Sequence, residues 1–208
     1  NILLIMTDQQ RYDSLGCYGF SGINTPNLDK LAEDGVLFEN CYVNNPICTP
    51  SRASIFTGKQ LPGHGVYRLN DILPEDEVMF TKHLQDNGYH TALVGKLHVS
   101  AAVFEFDSRN ANDGFDIYDW CHEPALFLDG KYNSYGKWLK EKHPDFHQKL
   151  KKEARLLKNV PSEVHATKWT ADKAIELINN REKDKPFCYV MSIFDPHNPY
   201  SDYPEEMG

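Results

Sequence analysis

Three apolar runs that each end in a polar or ionisable residue constrain this fold most. They are Asn1-Ile2-Leu3-Leu4-Ile5-Met6-Thr7-Asp8, then His90 to His98 with Thr91-Ala92-Leu93-Val94 at its centre, and Phe187 to Phe194 running into Asp195-Pro196-His197-Asn198-Pro199-Tyr200. A short continuous apolar run without polar alternation reads as a parallel strand buried on both faces. Between the runs lie helical patterns. Thr25-Pro26 opens a helix with Leu28, Leu31 and Ala32 on one face and Gly35 as its stop, and a strand is expected from Val36 to Val43. Further helices are expected near Val78 to Asn87 and over Ala171 to Asn180, with Ala174, Ile175 and Ile178 turned inward. Helices between strands at this spacing imply right-handed crossovers, so the expected fold is α/β, a mainly parallel sheet with helices on both faces. In such a sheet ligands bind beyond the carboxyl ends of the strands. Asp8, Lys96, His98 and His197 all follow strand exits and are therefore expected at one edge.

A fourth element joins them. In Cys48-Thr49-Pro50-Ser51-Arg52-Ala53-Ser54-Ile55-Phe56-Thr57-Gly58, Pro50 suits a first helical turn, where its missing N–H costs nothing. Cys48 then opens a helix whose N-terminus attracts anions, and Arg52, one turn on, is expected to lean back toward the sulfur.

The bulk properties narrow the function. The chain has 208 residues, 40% hydrophobic and 25% charged, ordinary for a globular protein. With 22 basic and 30 acidic side chains the net charge is −8, which disfavours nucleic acid and anionic membrane as partners. An anionic substrate must therefore be held by a local cluster of cations. Cys17, Cys41, Cys48, Cys121 and Cys188 are few and scattered, and indicate neither a disulfide framework nor a CxxC metal site. No apolar stretch approaches the roughly 20 residues of a membrane span. The chain opens without an initiator methionine, which reads as a cropped start, and carries no Asn-x-Ser/Thr sequon. On that basis a bacterial periplasm or cytoplasm is expected rather than a glycosylated secretory compartment.

From about Ser100 to Pro161 the periodicity weakens, and aromatic and polar residues mix through Phe104, Trp120, Tyr132, Tyr135 and Trp138 before a basic helix from about Asp145 to Leu157. Two readings stand for this irregular insertion: packing on the sheet edge, or a pocket wall that selects substrate.

The Cys48 run resembles the Cys-x-Pro-Ser-Arg signature of the type I, formylglycine-dependent sulfatases of the alkaline phosphatase superfamily, with Thr57-Gly58 closing it. Gly95-Lys96-Leu97-His98 resembles the family's Gly-Lys-x-His element, and Pro196-His197-Asn198-Pro199-Tyr200 a later one. The resemblance implies that Cys48 is oxidised to formylglycine by a maturation enzyme and that its hydrated aldehyde is the nucleophile. It implies that Lys96 holds sulfate oxygens, that His98 hydrogen-bonds the diol and that His197 is the general acid. Asp8 is a hard oxygen ligand suited to calcium, with magnesium or manganese as alternatives, and Gln9 adds an amide oxygen. Many relatives have two successive aspartates where this chain has Asp8-Gln9. With residue 48 these make the implied metal set Asp8, Gln9 and Cys48. Asp13 is read as a turn-stabilising carboxylate and His64 as loop packing near the site; His83, His90, His122, His143, His147 and His165 are read as surface or structural.

Family members are about twice this length, so residues 1–208 are expected to be the N-terminal part of one catalytic domain, incomplete at the C-terminus and inactive alone. The expected activity of the parent enzyme is hydrolysis of sulfate esters, sugar sulfates among them. The rival readings are a phosphonate or phosphate monoester hydrolase of the same superfamily, and a non-catalytic anion-binding domain with unconverted Cys48.

Overall fold

The computed structural model describes residues 1–205. Among them the strands β1 (Ile2–Met6), β2 (His90–Gly95), β3 (Ile117–Trp120) and β4 (Phe187–Ser192) form one parallel sheet in the order β1-β4-β2-β3. The helices are α1 (Pro26–Asp34), α2 (Cys48–Thr57), α3 (Leu61–His64), α4 (Phe80–Asp86), α5 (Ala102–Glu105), α6 (Ser134–Lys142), α7 (Pro144–Glu153) and α8 (Ala166–Asn180).

Alternation along β2 and β4 separates two cores. Leu93 and Val190 pack with Ala53 and Phe56 of α2, Met79 and Trp120. Val94 packs instead with Trp169 of α8 and with Tyr135 and Leu139 of α6, and Ala92 and Tyr189 with the inner side of α8. Helices thus cover both faces, as expected. Each large apolar side chain closed off in this way contributes about 1.5–3 kcal/mol.

The first strand departs from its expected surroundings. Among the described residues β1 pairs only with β4, and Ile2, Leu3 and Ile5 are exposed rather than buried on both faces. The stretch from Val36 to Val43 forms no strand; Val36, Phe38, Tyr42 and Val43 stand exposed in a loop. Helix α1 exists, but Leu28 and Leu31 are exposed on it. Apolar runs were sufficient to suggest these elements, yet burial needs a partner surface, and the described residues place none against them.

The segment read as irregular contains β3, the edge strand beside β2, and α6 and α7. Trp120, Tyr135 and Leu139 are almost fully buried, so it contributes directly to both cores. Its strand is only four residues long, too short for periodicity to show. The basic helix ends at Glu153 and passes into a short 3₁₀ turn.

Gly95 closes β2 in a way that no other residue could. Its φ is +100°, and a Cβ there would lie 2.0 Å from the Ser192 carbonyl oxygen, which accepts the Lys96 N–H at 3.0 Å. The exits of β2 and β4 therefore touch, which brings Lys96 beside Ser192.

Candidate active site

Asp8 leaves β1 with its carboxylate only 4% exposed. Lys96 Nζ lies 2.8 Å and Arg52 Nη2 3.1 Å from the same oxygen, Oδ2. Burial pushes the Asp8 carboxyl up, but Lys96 and Arg52 together pull it below the usual carboxylate range. Burial drives Lys96 the other way, below the ordinary ammonium range, with Arg52 adding to the effect and Asp8 opposing it. Two buried cations sharing one carboxylate leave a net positive site that favours a further anion.

Arg52 makes its hydrogen bonds at the strand exits. Its Nη1 donates to the Lys96 carbonyl at 2.7 Å, the Leu97 carbonyl at 3.3 Å and Ser192 Oγ at 2.8 Å. The guanidinium faces the strand exits and Asp8, where its planar fork ties α2, β2 and β4 together. Cys48, at the first residue of α2 and half-buried, remains close enough to add to the field on both Arg52 and Lys96.

Lys96 and His98 do not share a strand face, because β2 ends at Gly95. His98 sits in a left-handed turn with φ 57°, and the loop is shaped by a residue that the sequence reading passed over. Glu105 is fully buried and its carboxylate accepts the backbone N–H groups of His98 (2.8 Å), Val99 (2.8 Å) and Ser100 (3.0 Å), and Trp120 Nε1–H (3.0 Å). All four contacts are donors, which suits the ionised form, although burial pushes this carboxyl upward. A Glu seven residues after a Gly-Lys-x-His element gives no periodic signal, so only the fold reveals it.

The His98 ring is buried, with Nε2 3.0 Å from Thr49 Oγ1 and its plane edge-to-face with His122 at 4.2 Å between centroids. Desolvation, reinforced by Lys96 and Arg52, lowers its pKa to about 2, so it is neutral at ordinary pH. His122, read from sequence as surface or structural, is buried beside the site and held neutral for the same reason. His64 is structural: Nε2 meets Ser54 Oγ at 2.9 Å and Nδ1 accepts the Val66 N–H. Asp13 holds an exposed ion pair with Arg11 within its turn.

His197 lies between the cis bonds Asp195–Pro196 and Asn198–Pro199. Its ring stacks on Phe194, over which Lys96 Nζ also sits at 5.1 Å, and Nδ1–H donates to the Asn198 carbonyl at 2.8 Å.

The implied metal set is only partly assembled. The Asp8 backbone N–H is bound by the Asp195 carbonyl at 3.3 Å, which fixes the carboxylate at the edge. Both cations take Oδ2, so Oδ1 offers a hard oxygen, and Gln9, exposed with φ 55°, can add another. With an oxygen at position 48 these fit one side of a calcium site, which takes six to eight oxygens. A separate group, His165, Asp195 and Asp202, has potential ligand atoms within 4.8 Å of one another. His165 there also caps α8, its Nδ1 accepting the Thr167 N–H.

The sulfatase family profile matches residues 1–207. An N-acetylglucosamine-6-O-sulfatase of Bacteroides thetaiotaomicron is 33% identical over 100% of this chain and 32% of the relative. An arylsulfatase of Clostridium perfringens is 33% identical over 96% of this chain and 44% of the relative. A solved structure in complex with its substrate D-glucosamine-2-N,6-O-disulfate superposes with TM-score 0.66 at 30% identity, covering 95% of this chain and 35% of that one. A phosphonate monoester hydrolase of Agrobacterium radiobacter superposes with TM-score 0.75 at 23% identity, covering 99% and 42%, and shows the shared fold alone. The chain spans about a third to under half the length of these relatives. With the family profile matched across nearly its whole length and the Cys48, Lys96, His98 and His197 elements at one sheet edge, this chain belongs to the sulfatase family.

Proposed function

We propose that the protein hydrolyses sulfate esters of saccharides, with Cys48 matured to formylglycine as the nucleophile. The observation that carries this reading is the convergence of Arg52 and Lys96 on Asp8 at the edge where α2 presents residue 48. A bound divalent cation, calcium by its preference for oxygen ligands, would be held by Asp8, Gln9 and residue 48 and would supply Lewis-acid polarisation of the sulfate.

The chain's own residues do the remainder. Lys96 offsets charge on the sulfate oxygens, while Arg52 holds Asp8 and the strand exits in register and extends its field to residue 48. Fixed cations in a water-poor site act strongly here because they need no reorganisation as charge develops. His98, neutral and buried, accepts a proton from an oxygen at position 48. His197, with Nδ1–H engaged by the Asn198 carbonyl, uses Nε2 to protonate the departing alcohol. The saccharide class rests on the sugar-sulfate relatives.

The test is a comparison of aryl and glucosamine sulfate esters with the corresponding phosphate and phosphonate esters, using the complete gene product. Higher kcat/KM on sulfate esters supports the reading. Preference for phosphorus esters, or turnover of none with Cys48 unconverted, overturns it.

A further inference from the structure

The hydroxyl of Thr49 makes two contacts. It lies 3.1 Å from the Leu69 carbonyl oxygen and 3.0 Å from His98 Nε2. A carbonyl oxygen only accepts, so the single hydroxyl proton goes to Leu69, and toward His98 the Thr49 oxygen has only a lone pair to offer. Both bonds are satisfied only if His98 Nε2 carries a hydrogen. A neutral imidazole has one N–H, and burial beside Lys96 and Arg52 keeps this ring neutral. Nδ1 of His98 is then a bare acceptor, and it is buried with no hydrogen-bond partner among the described residues.

The ring has little freedom to escape this arrangement. Its backbone N–H is tied to Glu105, its plane packs edge-to-face against His122, and both nitrogens of His122 are likewise buried without a partner. A buried acceptor left unpaired is costly, and the surrounding structure must offset it. The arrangement suits a group that a reacting hydroxyl later satisfies.

We propose that Thr49 is a positioning residue that locks His98 in the Nε2–H tautomer, leaving Nδ1 as the basic nitrogen of the site. His98 can then only take a proton: an O–H bond breaks, its electron pair stays on oxygen, and the new N–H forms at Nδ1. The proton later passes to water. At His197 the hydrogen bond falls on the other ring nitrogen, Nδ1–H donating to the Asn198 carbonyl. The two histidines are thereby distinguished by local hydrogen bonding, not by residue type. The catalytic consequence rests on the sulfatase reading; the tautomer itself does not.

The experiment is ring ¹⁵N NMR of His98 in the complete gene product, in which bare and protonated nitrogens resonate far apart, together with kcat and KM on an aryl sulfate. The wild type is expected to show Nε2–H. Thr49→Val, which keeps the shape but removes the acceptor, should move the tautomer ratio toward Nδ1–H by about tenfold, the worth of one buried hydrogen bond. It should lower kcat by about the same factor with KM within about twofold. Thr49→Ser should restore the wild-type ratio and most of kcat. Nδ1–H in the wild type, or an unchanged ratio in Thr49→Val, overturns the proposal. A protein with the expected tautomers that turns over no sulfate ester leaves the lock standing and removes the sulfatase reading instead. Should Thr49→Val fail to fold, the wild-type spectrum and Thr49→Ser still decide.

Discussion

Replacing Glu105 with glutamine tests how the His98 loop is held. The side chains are nearly the same size, so the change creates no cavity, but one carboxylate oxygen becomes an NH₂. Oε1 receives Val99 and Ser100, and Oε2 receives His98 and Trp120, so either amide orientation sets two N–H donors against a third donor. Hydrogen bonds to a charged group contribute about 1.5–3 kcal/mol each, so two of them amount to about 3–6 kcal/mol. Removing a buried charge gives part of this back, since burial already disfavours the ionised carboxyl. The expected net loss is about 3 kcal/mol, a large fraction of the stability of an ordinary domain. Equilibrium urea unfolding at neutral pH reads it, with Glu105→Asp as a control that retains the charge at the wrong reach. A loss under about 0.5 kcal/mol, the range of ordinary surface substitutions, would refute the view that Glu105 organises this loop.

Three further outcomes follow from the site. Cys48→Ala should abolish turnover of sulfate esters while changing stability by less than about 0.5 kcal/mol, because the thiol is half-buried at a helix start; steady-state kinetics and urea unfolding check the two halves. Arg52→Lys should lower kcat by at least about thirtyfold, since a point ammonium cannot span Asp8, Ser192 and two carbonyls, and an unchanged rate would deny the fork its role. The pH dependence has a defined sign: His98 falls from 6.5 to about 2 on folding, so between those values the unfolded chain binds more protons and stability declines on acidification. From neutral pH to pH 5 this contributes about 2 kcal/mol, absent in His98→Asn. Asp8, whose pKa is lowered, retains its contribution above its unfolded value near 3.8 and loses it only in stronger acid.

Much of this arrangement was legible before any coordinates. The apolar runs at residues 1–8, 90–98 and 187–194 become β1, β2 and β4, and for β2 and β4 the reason is that a parallel strand under helices must be apolar in succession. Their exits carry Asp8, Lys96 and His197 to one edge, as the general rule for open sheets requires. What escaped the reading depended on tertiary partners. Leu28, Leu31 and Val36 have the pattern of buried residues but stand exposed. Glu105, Thr49, Ser192 and His122 are ordinary residues in sequence; their importance comes from where the loop after Gly95 folds back. Arg52 is a buried cation on α2, and helical geometry alone does not show that acceptors at the strand exits draw its guanidinium inward.

The most direct test of the central claim is the intact mass of the tryptic peptide containing residue 48, isolated from the complete gene product expressed with a formylglycine-generating maturation enzyme. The account predicts that the CH₂SH of Cys48 is replaced by an aldehyde, seen as the corresponding mass loss and as capture of that peptide by a hydrazide. An unmodified cysteine peptide, obtained alongside full turnover of sulfate esters, would contradict it.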